Sequence, residues 1–380
     1  MKVIVSPDSF KGSLSATQAA EAIGAGVRRV TPDADIVLVP LADGGEGTVE
    51  AFVTAVGGRI LPVTATGPMG APVDAFIGLL DDGTAVVEMA AASGLTLVPD
   101  DRRNPMLTTS YGTGELIMAA LDAGCSNLIL GIGGSATNDG GIGMIQALGG
   151  RFSDASGNEV GLGARELIRI RSIDLSNLDC HLKQTPITVA CDVENPLSGP
   201  NGASAVFGPQ KGATPAMVDQ LDAGLRNLAE VIRRDMGIDV ENTPGAGAAG
   251  GMGAAALAFM GGRLESGIEI VLRVARFDSV LDGAAVVFTG EGRVDSQTLQ
   301  GKVINGVLKA SSARHVRVIV LAGGVEPKGY ELMNHGAAAV LGITDRPMSL
   351  AQARERAGEL LCRAAESAMR LVRVGLSQSG

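Results

Sequence analysis

The sequence predicts an α/β protein, in which a Rossmann-like, doubly wound parallel sheet carries a second, inserted α/β domain. Short apolar runs recur along the chain, each followed by a turn and then by apolar residues at helical spacing, which is the pattern of successive βα units. The chain has 380 residues, too many for one ordinary core. Its 54 glycines and 3% aromatic residues indicate small aliphatic side chains, with helices packed closely on sheets.

The strands of the predicted parallel sheet come from both ends of the chain. They are residues 3–5, 36–39, 285–288, 318–321 and 338–341. After the first strand, Ser15 and Gln18 have the spacing of a capping box and predict the start of a helix. A last helix of about 20 residues follows the fifth strand, judged from its periodicity.

The middle of the chain carries further βα units. Apolar runs at 128–130 and 187–190 each open into a polar turn, and Thr214-Pro215 begins a helix with Thr as N-cap. Glycines and prolines within 61–72 favour a crossing between domains there.

The predicted division is a discontinuous Rossmann-like domain and an inserted α/β domain. The first comprises residues 1–66 and 284–380, and the second comprises residues 67–283. Periodicity is equally compatible with a continuous division into N- and C-terminal halves.

Composition narrows the possible partners. A protein that binds duplex nucleic acid needs a basic face, so the formal net charge of −10 argues against nucleic acid as a partner. The same charge means that an anionic substrate must be bound by local Lys, Arg or backbone N–H groups. Four scattered cysteines and three histidines do not favour zinc. The first apolar run ends at Ser6-Pro7-Asp8, too early for a signal-peptide core, and residues 245–262 are too rich in Gly and Ala for a membrane span. We therefore expect a cytoplasmic protein.

Charged residues cluster in the turns that follow the predicted strands. Ligands of open α/β sheets bind at the carboxyl ends of strands, where helix N-termini present free N–H groups to anions. The residues in this zone are Asp8, Lys11, Asp43, Glu46, Glu291, Arg293 and Asp295. Any one of these carboxylates could equally be a helix cap. Their repetition favours a functional role.

Phosphoryl transfer requires the residue types found in these turns. Mg²⁺ is held by one or two carboxylates, a cation neutralises the moving phosphoryl group, and a base accepts the hydroxyl proton. The cations beside glycine turns are Lys11, Lys211, Arg293 and Lys302, and the available carboxylates are Asp43, Asp192 and Asp295. The sequence thus predicts a phosphotransferase for a small anionic metabolite.

Two glycine-rich segments remain to be interpreted. Residues 131–141 combine glycines with Ser, Thr and Asn, which is typical of a backbone nest for an anion. Residues 245–253 have the glycine content of a dinucleotide fingerprint, but no strong apolar run directly precedes them. The chain has no P-loop string. A nicotinamide-dependent oxidoreductase of hydroxy acids and a non-catalytic metabolite-binding regulator remain open alternatives.

Several long strings, spread over nearly the whole chain, resemble the bacterial class I glycerate kinases, or glycerate 2-kinases. The strings are residues 7–15, 42–48, 88–95, 131–141, 190–197, 207–212, 244–252 and 289–295. The resemblance implies transfer of the γ-phosphoryl group of ATP to the 2-hydroxyl of D-glycerate, giving 2-phosphoglycerate and ADP, with Mg²⁺. It also implies two α/β domains with the active site in the cleft between them, in a monomer or homodimer.

Roles for individual residues follow as hypotheses. Asp192 is the preferred base because it ends a buried strand. Asp295 is the alternative base and, with Asp43, the expected metal ligand, while Lys11 and Arg293 are the expected catalytic cations. The expected substrate- or nucleotide-binding residues are Asp8, Ser9, Asp43, Gly44, Gly45, Glu46, Gly133, Gly134, Ser135, Asn138, Asp139, Asn195, Lys211, Gly290, Glu291 and Lys302.

Overall fold

The computed structural model describes residues 1–42, 45, 47–295, 298 and 303–377. Its strands are β1 (Lys2–Val5), β2 (Asp35–Leu38), β3 (Gly58–Thr66), β4 (Pro72–Leu80), β5 (Thr84–Glu88), β6 (Asn127–Gly131), β7 (Arg151–Ser153), β8 (Ser172–Asp174), β9 (Ile187–Ala190), β10 (Arg263–Glu265), β11 (Ala284–Val294), β12 (Arg317–Val325) and β13 (Ala337–Gly342). Its helices are α1 (Ala16–Val30), α2 (Thr48–Val56), α3 (Ala90–Ser93), α4 (Tyr111–Asp122), α5 (Ile142–Ala147), α6 (Ala203–Phe207), α7 (Pro215–Met236), α8 (Ala248–Phe259), α9 (Gly267–Val274), α10 (Phe277–Val280), α11 (Val303–Ala313), α12 (Leu350–Glu355) and α13 (Ala357–Ser377).

The chain divides into two compact units. The first comprises Met1–Asp43, Glu50–Gly57 and Ile268–Gly380, and the second comprises Gly44–Val49 and Gly58–Gly267. Helices α2 and α9 each begin in the second unit and continue in the first.

The first unit contains a five-stranded sheet in the order β13-β12-β11-β1-β2, with every neighbouring pair parallel. These are the five strands predicted from the two ends of the chain, and the α/β fold class is confirmed. Numbered within the unit, the order is 2-1-3-4-5, so the winding direction reverses between β1 and β11. Open sheets of this kind bind ligands beyond the carboxyl ends of the strands at the reversal.

Helices α1 and α13 pack on each other and bury aliphatic residues of this sheet. The predicted capping box at the start of α1 is present: Ser15 Oγ accepts from Gln18 N at 3.2 Å, and Gln18 Oε1 accepts from Ser15 N at 3.0 Å. Ile23 and Val27 of α1 are completely buried, as the helical spacing predicts.

The second unit contains a six-stranded sheet in the order β10-β9-β6-β5-β4-β3. Strands β10, β9, β6 and β5 are parallel, whereas β4 and β3 run antiparallel to their neighbours. Its core joins the sheet to α4, α5, α7 and α8 through residues such as Leu130, Leu116 and Leu225. Helix α7 begins as predicted, with Thr214 Oγ1 accepting from Met217 N and Pro215 in the first turn.

The segment 61–72 does not have the predicted role of a crossing between domains. It forms most of β3 and the hairpin turn before β4, closed by Gly67 N donating to Ala71 O at 2.7 Å. The predicted boundary between residues 66 and 67 therefore falls inside a hairpin of the second unit. Pro62 is compatible with β3 because β3 is an edge strand, where a missing N–H leaves the hydrogen-bonded ladder intact.

Among the described helices, none combines the length and the apolar character needed to cross a lipid bilayer.

Candidate functional site

In the first unit, the predicted site residues lie at the carboxyl ends of β1 and β11, where the sheet order reverses. Asp8 N donates to Gly290 O at 2.8 Å, which holds the loop after β1 against β11. Gly292 packs on the backbone of Lys11 and Phe10. The structure thus brings Asp8, Ser9 and Lys11 to the same edge as Gly290, Glu291 and Arg293.

In this first-unit cluster, a threonine that the sequence analysis missed connects the Glu291 carboxylate to the backbone of Asp295. Glu291 is buried, and its Oε1 accepts from Thr298 Oγ1 at 2.5 Å. The same hydroxyl accepts from Asp295 N at 3.1 Å. Thr298 follows Asp295 by three residues, the spacing of a local side chain–backbone turn, and this is the sequence signal that could have identified it.

The cations of the first-unit cluster differ in their surroundings. The Arg293 side chain is 70% exposed, and its guanidinium pairs with Glu326 and lies 3.9 Å from Asp295. Any anionic ligand of Arg293 must therefore compete with Glu326. Lys11 is exposed, and the guanidinium of Arg354 lies against the neighbouring Gly12. Arg354 is a further cation at this edge, and its distance along the chain hid it from sequence analysis.

In the second unit, four of the other strings singled out in the sequence converge on the glycine loop 131–141. Ala136 N donates to Ser93 O at 2.9 Å, and Leu95 N donates to Gly134 O at 2.8 Å. On its other side, the loop is bound by Lys211 and by Gly250, whose carbonyl accepts from Gly140 N at 2.9 Å. The segment 190–197 joins through Asn195, whose carbonyl accepts from Gly247 N at 3.0 Å.

Lys211 lies inside the second unit, with 2% of its surface exposed. Its Nζ donates to Ser135 Oγ at 2.6 Å and to Thr137 O at 2.7 Å. Burial lowers the pKa of Lys211 to about 7, and the negative charge of Asp139 acts in the opposite direction. The lysine predicted to bind ligand therefore binds the glycine loop itself.

Asp139 and Asn138, both predicted to bind ligand, are also completely buried. Asp139 Oδ2 accepts from the amide and the hydroxyl of Ser110, both at 2.8 Å, and Oδ1 accepts from Gly141 N at 3.2 Å. Burial raises the pKa of Asp139, and the hydrogen bonds from Ser110 and Gly141 oppose that effect. Asn138 Nδ2 donates to Ser204 Oγ at 3.0 Å. These side chains fix the loop from within.

The glycine run 245–253 serves close packing on the same loop. Gly250 has a φ of +70°, and a Cβ at this position would lie 2.1 Å from Thr137 O. Only glycine meets both conditions. The described residues 237–247 contain no strand, so the run lacks the strand–turn–helix context of a dinucleotide fingerprint.

Asp192 follows β9 and caps a helix. Its Oδ1 accepts from Ser266 Oγ at 2.8 Å and from Gly267 N, the first residue of α9, at 2.9 Å. Asp192 is therefore a helix cap, which the sequence analysis gave as the alternative role for carboxylates in these turns. Asp192 is also exposed to solvent, so the same carboxylate is held in a fixed orientation and remains accessible.

Glu88 is a further residue that the sequence analysis left without a role. It ends β5, is 3% exposed, and its Oε1 and Oε2 accept from Val49 N at 2.6 Å and Gly47 N at 3.3 Å. Glu88 thereby holds the start of α2 and the glycine turn that contains Gly45. Asp43, Gly44 and Glu46 of that turn lie outside the described residues, as does Lys302.

Each cluster, taken by itself, has donor groups that suit one part of a magnesium–nucleotide ligand. Glu291 and Asp295 supply the hard oxygen donors that Mg²⁺ prefers. In the glycine loop, Gly134 is exposed and Gly133 is half-buried, which leaves the backbone open to phosphate oxygens. Thr137 Oγ1 and Asn138 Oδ1 are buried and have no hydrogen-bond partner among the described residues, so they belong to the interior of the loop and not to its exposed backbone.

Comparison with known proteins gives one consistent result. The family model described as the glycerate kinase family matches residues 3–373. The chain is 49% identical to the glycerate 2-kinase of Escherichia coli (strain K12), with 100% of each chain covered. It is 53% identical to the glycerate kinase of Bacillus subtilis (strain 168), with 96% of each covered. A solved structure of glycerate kinase 2 from Salmonella typhimurium LT2 superposes with a TM-score of 0.90, at 50% identity and 99% coverage of both chains.

Proposed function

The chain belongs to the glycerate kinase family, and on that basis we propose that it transfers the γ-phosphoryl group of ATP to the 2-hydroxyl of D-glycerate. The products are 2-phosphoglycerate and ADP. The observation that carries the proposal is the full-length 49% identity to a protein named glycerate 2-kinase. Because ATP is the proposed donor, we expect the protein to act in the cytoplasm.

In the proposed reaction, the 2-hydroxyl oxygen of glycerate forms a bond to the γ-phosphorus. The bond from that phosphorus to the β,γ-bridging oxygen breaks, and its electron pair leaves with ADP. The hydroxyl proton passes to the carboxylate of Asp192. Mg²⁺ supplies neutralisation of the phosphate oxygens, and the residues that would hold it are Asp295 and Glu291, together with Asp43 on sequence grounds.

The assignment of Asp192 as base rests on its orientation and exposure. Two donors, Ser266 Oγ and Gly267 N, bind the same carboxylate oxygen, which restricts rotation of the side chain. Because the side chain is already fixed, less conformational entropy is lost when the carboxylate accepts the proton of the substrate hydroxyl. Asp295 remains the alternative base; Thr298 Oγ1 binds its backbone N–H, and its carboxylate lies 3.9 Å from the Arg293 guanidinium.

The cations have separate proposed roles. Lys11 is the better candidate for the phosphoryl oxygens or the substrate carboxylate, since it is exposed and does not form an ion pair with any described residue. Arg293 is already paired with Glu326, so we propose that it contributes mainly to the charge of the site.

Initial rates of ADP formation test the proposal. Each assay contains Mg-ATP and one of three acceptors: D-glycerate, or one of two analogues that each lack one of its hydroxyls. D-Glycerate has both hydroxyls, D-lactate has only the 2-hydroxyl, and 3-hydroxypropionate has only the 3-hydroxyl. We expect turnover with D-glycerate and none with 3-hydroxypropionate. ADP formation with 3-hydroxypropionate, or none with D-glycerate, would contradict the proposal.

The two alternative functions have less support. A nicotinamide-dependent oxidoreductase would need a dinucleotide site, and the glycine run 245–253 lacks the required strand. A non-catalytic regulator would bind ligand without forming ADP, so the same assay separates it from the kinase.

A further inference from the structure

The buried Lys211 is the feature that the proposed reaction does not use. It ends the short helical turn Pro209–Lys211, and the following Gly212 adopts a φ of +93°, with Arg103 O only 2.4 Å from the position that a Cβ would occupy. The chain around Lys211 is thus shaped to turn the side chain into the second unit.

This position is unfavourable for a charged side chain. Lys211 Nζ has two neutral acceptors, Ser135 Oγ and Thr137 O, and no carboxylate oxygen within ion-pair distance among the described residues. Transfer of an ammonium group out of water is costly unless it is paired. A flexible apolar side chain of similar length, such as Met, would avoid that cost.

The contacts of Lys211 bear directly on the exposed part of the glycine loop. Ser135 follows Gly133 and Gly134, and its hydroxyl is held by Nζ at 2.6 Å. The other side of this stretch is held by Leu95 N on Gly134 O and by Ser93 O on Ala136 N. Lys211 therefore completes the support of the two glycines whose backbone faces solvent.

We propose that Lys211 is a positioning residue for nucleotide binding. Its ammonium group fixes the loop 131–141 so that the Gly133–Gly134 backbone meets the phosphate chain of the nucleotide, and the folded protein is less stable for carrying it. The inference rests on the proposed function only in naming the nucleotide as the ligand of this loop.

The test compares the full-length wild type with K211M and K211Q, and with K183M as a matched control. Lys183 is an exposed lysine of the same unit. The affinity for Mg-ADP is measured by calorimetry. This measurement needs no turnover, so its result does not depend on which molecule accepts the phosphoryl group. Urea unfolding midpoints at pH 7 report on the fold.

We expect K211M to bind Mg-ADP at least tenfold more weakly than the wild type while its unfolding midpoint is unchanged or higher. K211Q keeps one donor group without the charge, and we expect intermediate binding. K183M should match the wild type in both measurements. Binding by K211M within twofold of the wild type would overturn the inference, as would failure of both Lys211 variants to fold. If Mg-ADP binding follows the expectation but D-glycerate is not phosphorylated, the proposed acceptor is wrong and the role of Lys211 stands.

Discussion

Replacing Lys211 by methionine should change how the stability of the protein depends on pH. Burial lowers the pKa of Lys211 from 10.5 in the unfolded chain to about 7 in the folded protein. Between these values the unfolded state binds more protons, so stability rises with pH through this window. Below pH 7 the lysine is protonated in both states and its contribution is constant. At 1.36 kcal/mol per pH unit, the full window corresponds to about 5 kcal/mol.

Unfolding can be measured over the part of this pH window that lies between pH 7 and pH 9. From pH 7 to pH 9, the lysine alone should make the wild type more stable by about 2 kcal/mol, because it is half protonated in the folded state at the lower pH. K211M should lack this increment, whereas K183M should keep it. The assay is the free energy of unfolding in urea at both pH values. Equal pH dependence in the wild type and K211M would show that burial does not lower the pKa of Lys211, and would refute the argument.

Three other substitutions test separate parts of the site. D192N keeps the oxygen that caps α9 but removes the basicity of the side chain, so kcat should fall by about 10²–10⁴-fold with little change in the unfolding midpoint. The control S266A should keep most of the activity. Turnover of D192N within a few-fold of wild type would rule out Asp192 as the base. S110A removes a hydroxyl donor from the buried Asp139 carboxylate and should lower the free energy of unfolding by about 2 kcal/mol; no loss in urea unfolding contradicts that role. G250A should lower the free energy of unfolding by at least about 1 kcal/mol more than G157A in the same assay. Both glycines have positive φ, but only at Gly250 would a Cβ meet Thr137 O. Equal losses in the two variants would show that this contact is unimportant.

The parallel sheet of the first unit was predictable because its signals are local. Each of its five strands is a short apolar run followed by a polar turn, and Ser15 with Gln18 defines the next helix start. The hairpin of β3 and β4 was not predictable in the same way. Its turn signal at Gly67-Pro68 and the proline at position 62 are equally typical of a linker, and only pairing with β4 distinguishes the two.

The candidate site shows a similar limit. The glycine strings identified the segments that meet in the second unit, since each glycine marks a turn or a close approach that leaves a trace in the sequence. The sequence does not indicate in the same way whether a side chain points into the interior or towards the solvent. Lys211 and Asp139 were predicted to bind substrate or nucleotide, yet both are buried and support the loop. Glu88 was missed because its partners are backbone N–H groups 39 and 41 residues away along the chain. Thr298 is different, since its spacing of three residues from Asp295 is a local signal that could have identified it.

Proton-coupled phosphorus NMR of the product tests the proposed reaction most directly. The sample contains the full chain, D-glycerate and Mg-ATP, and the new phosphomonoester signal is compared with the ADP signals. We predict one product signal per ADP, split into a doublet by the single proton on C2. A triplet from two protons on C3, or unchanged ATP signals, would contradict the assignment of the protein as a glycerate 2-kinase.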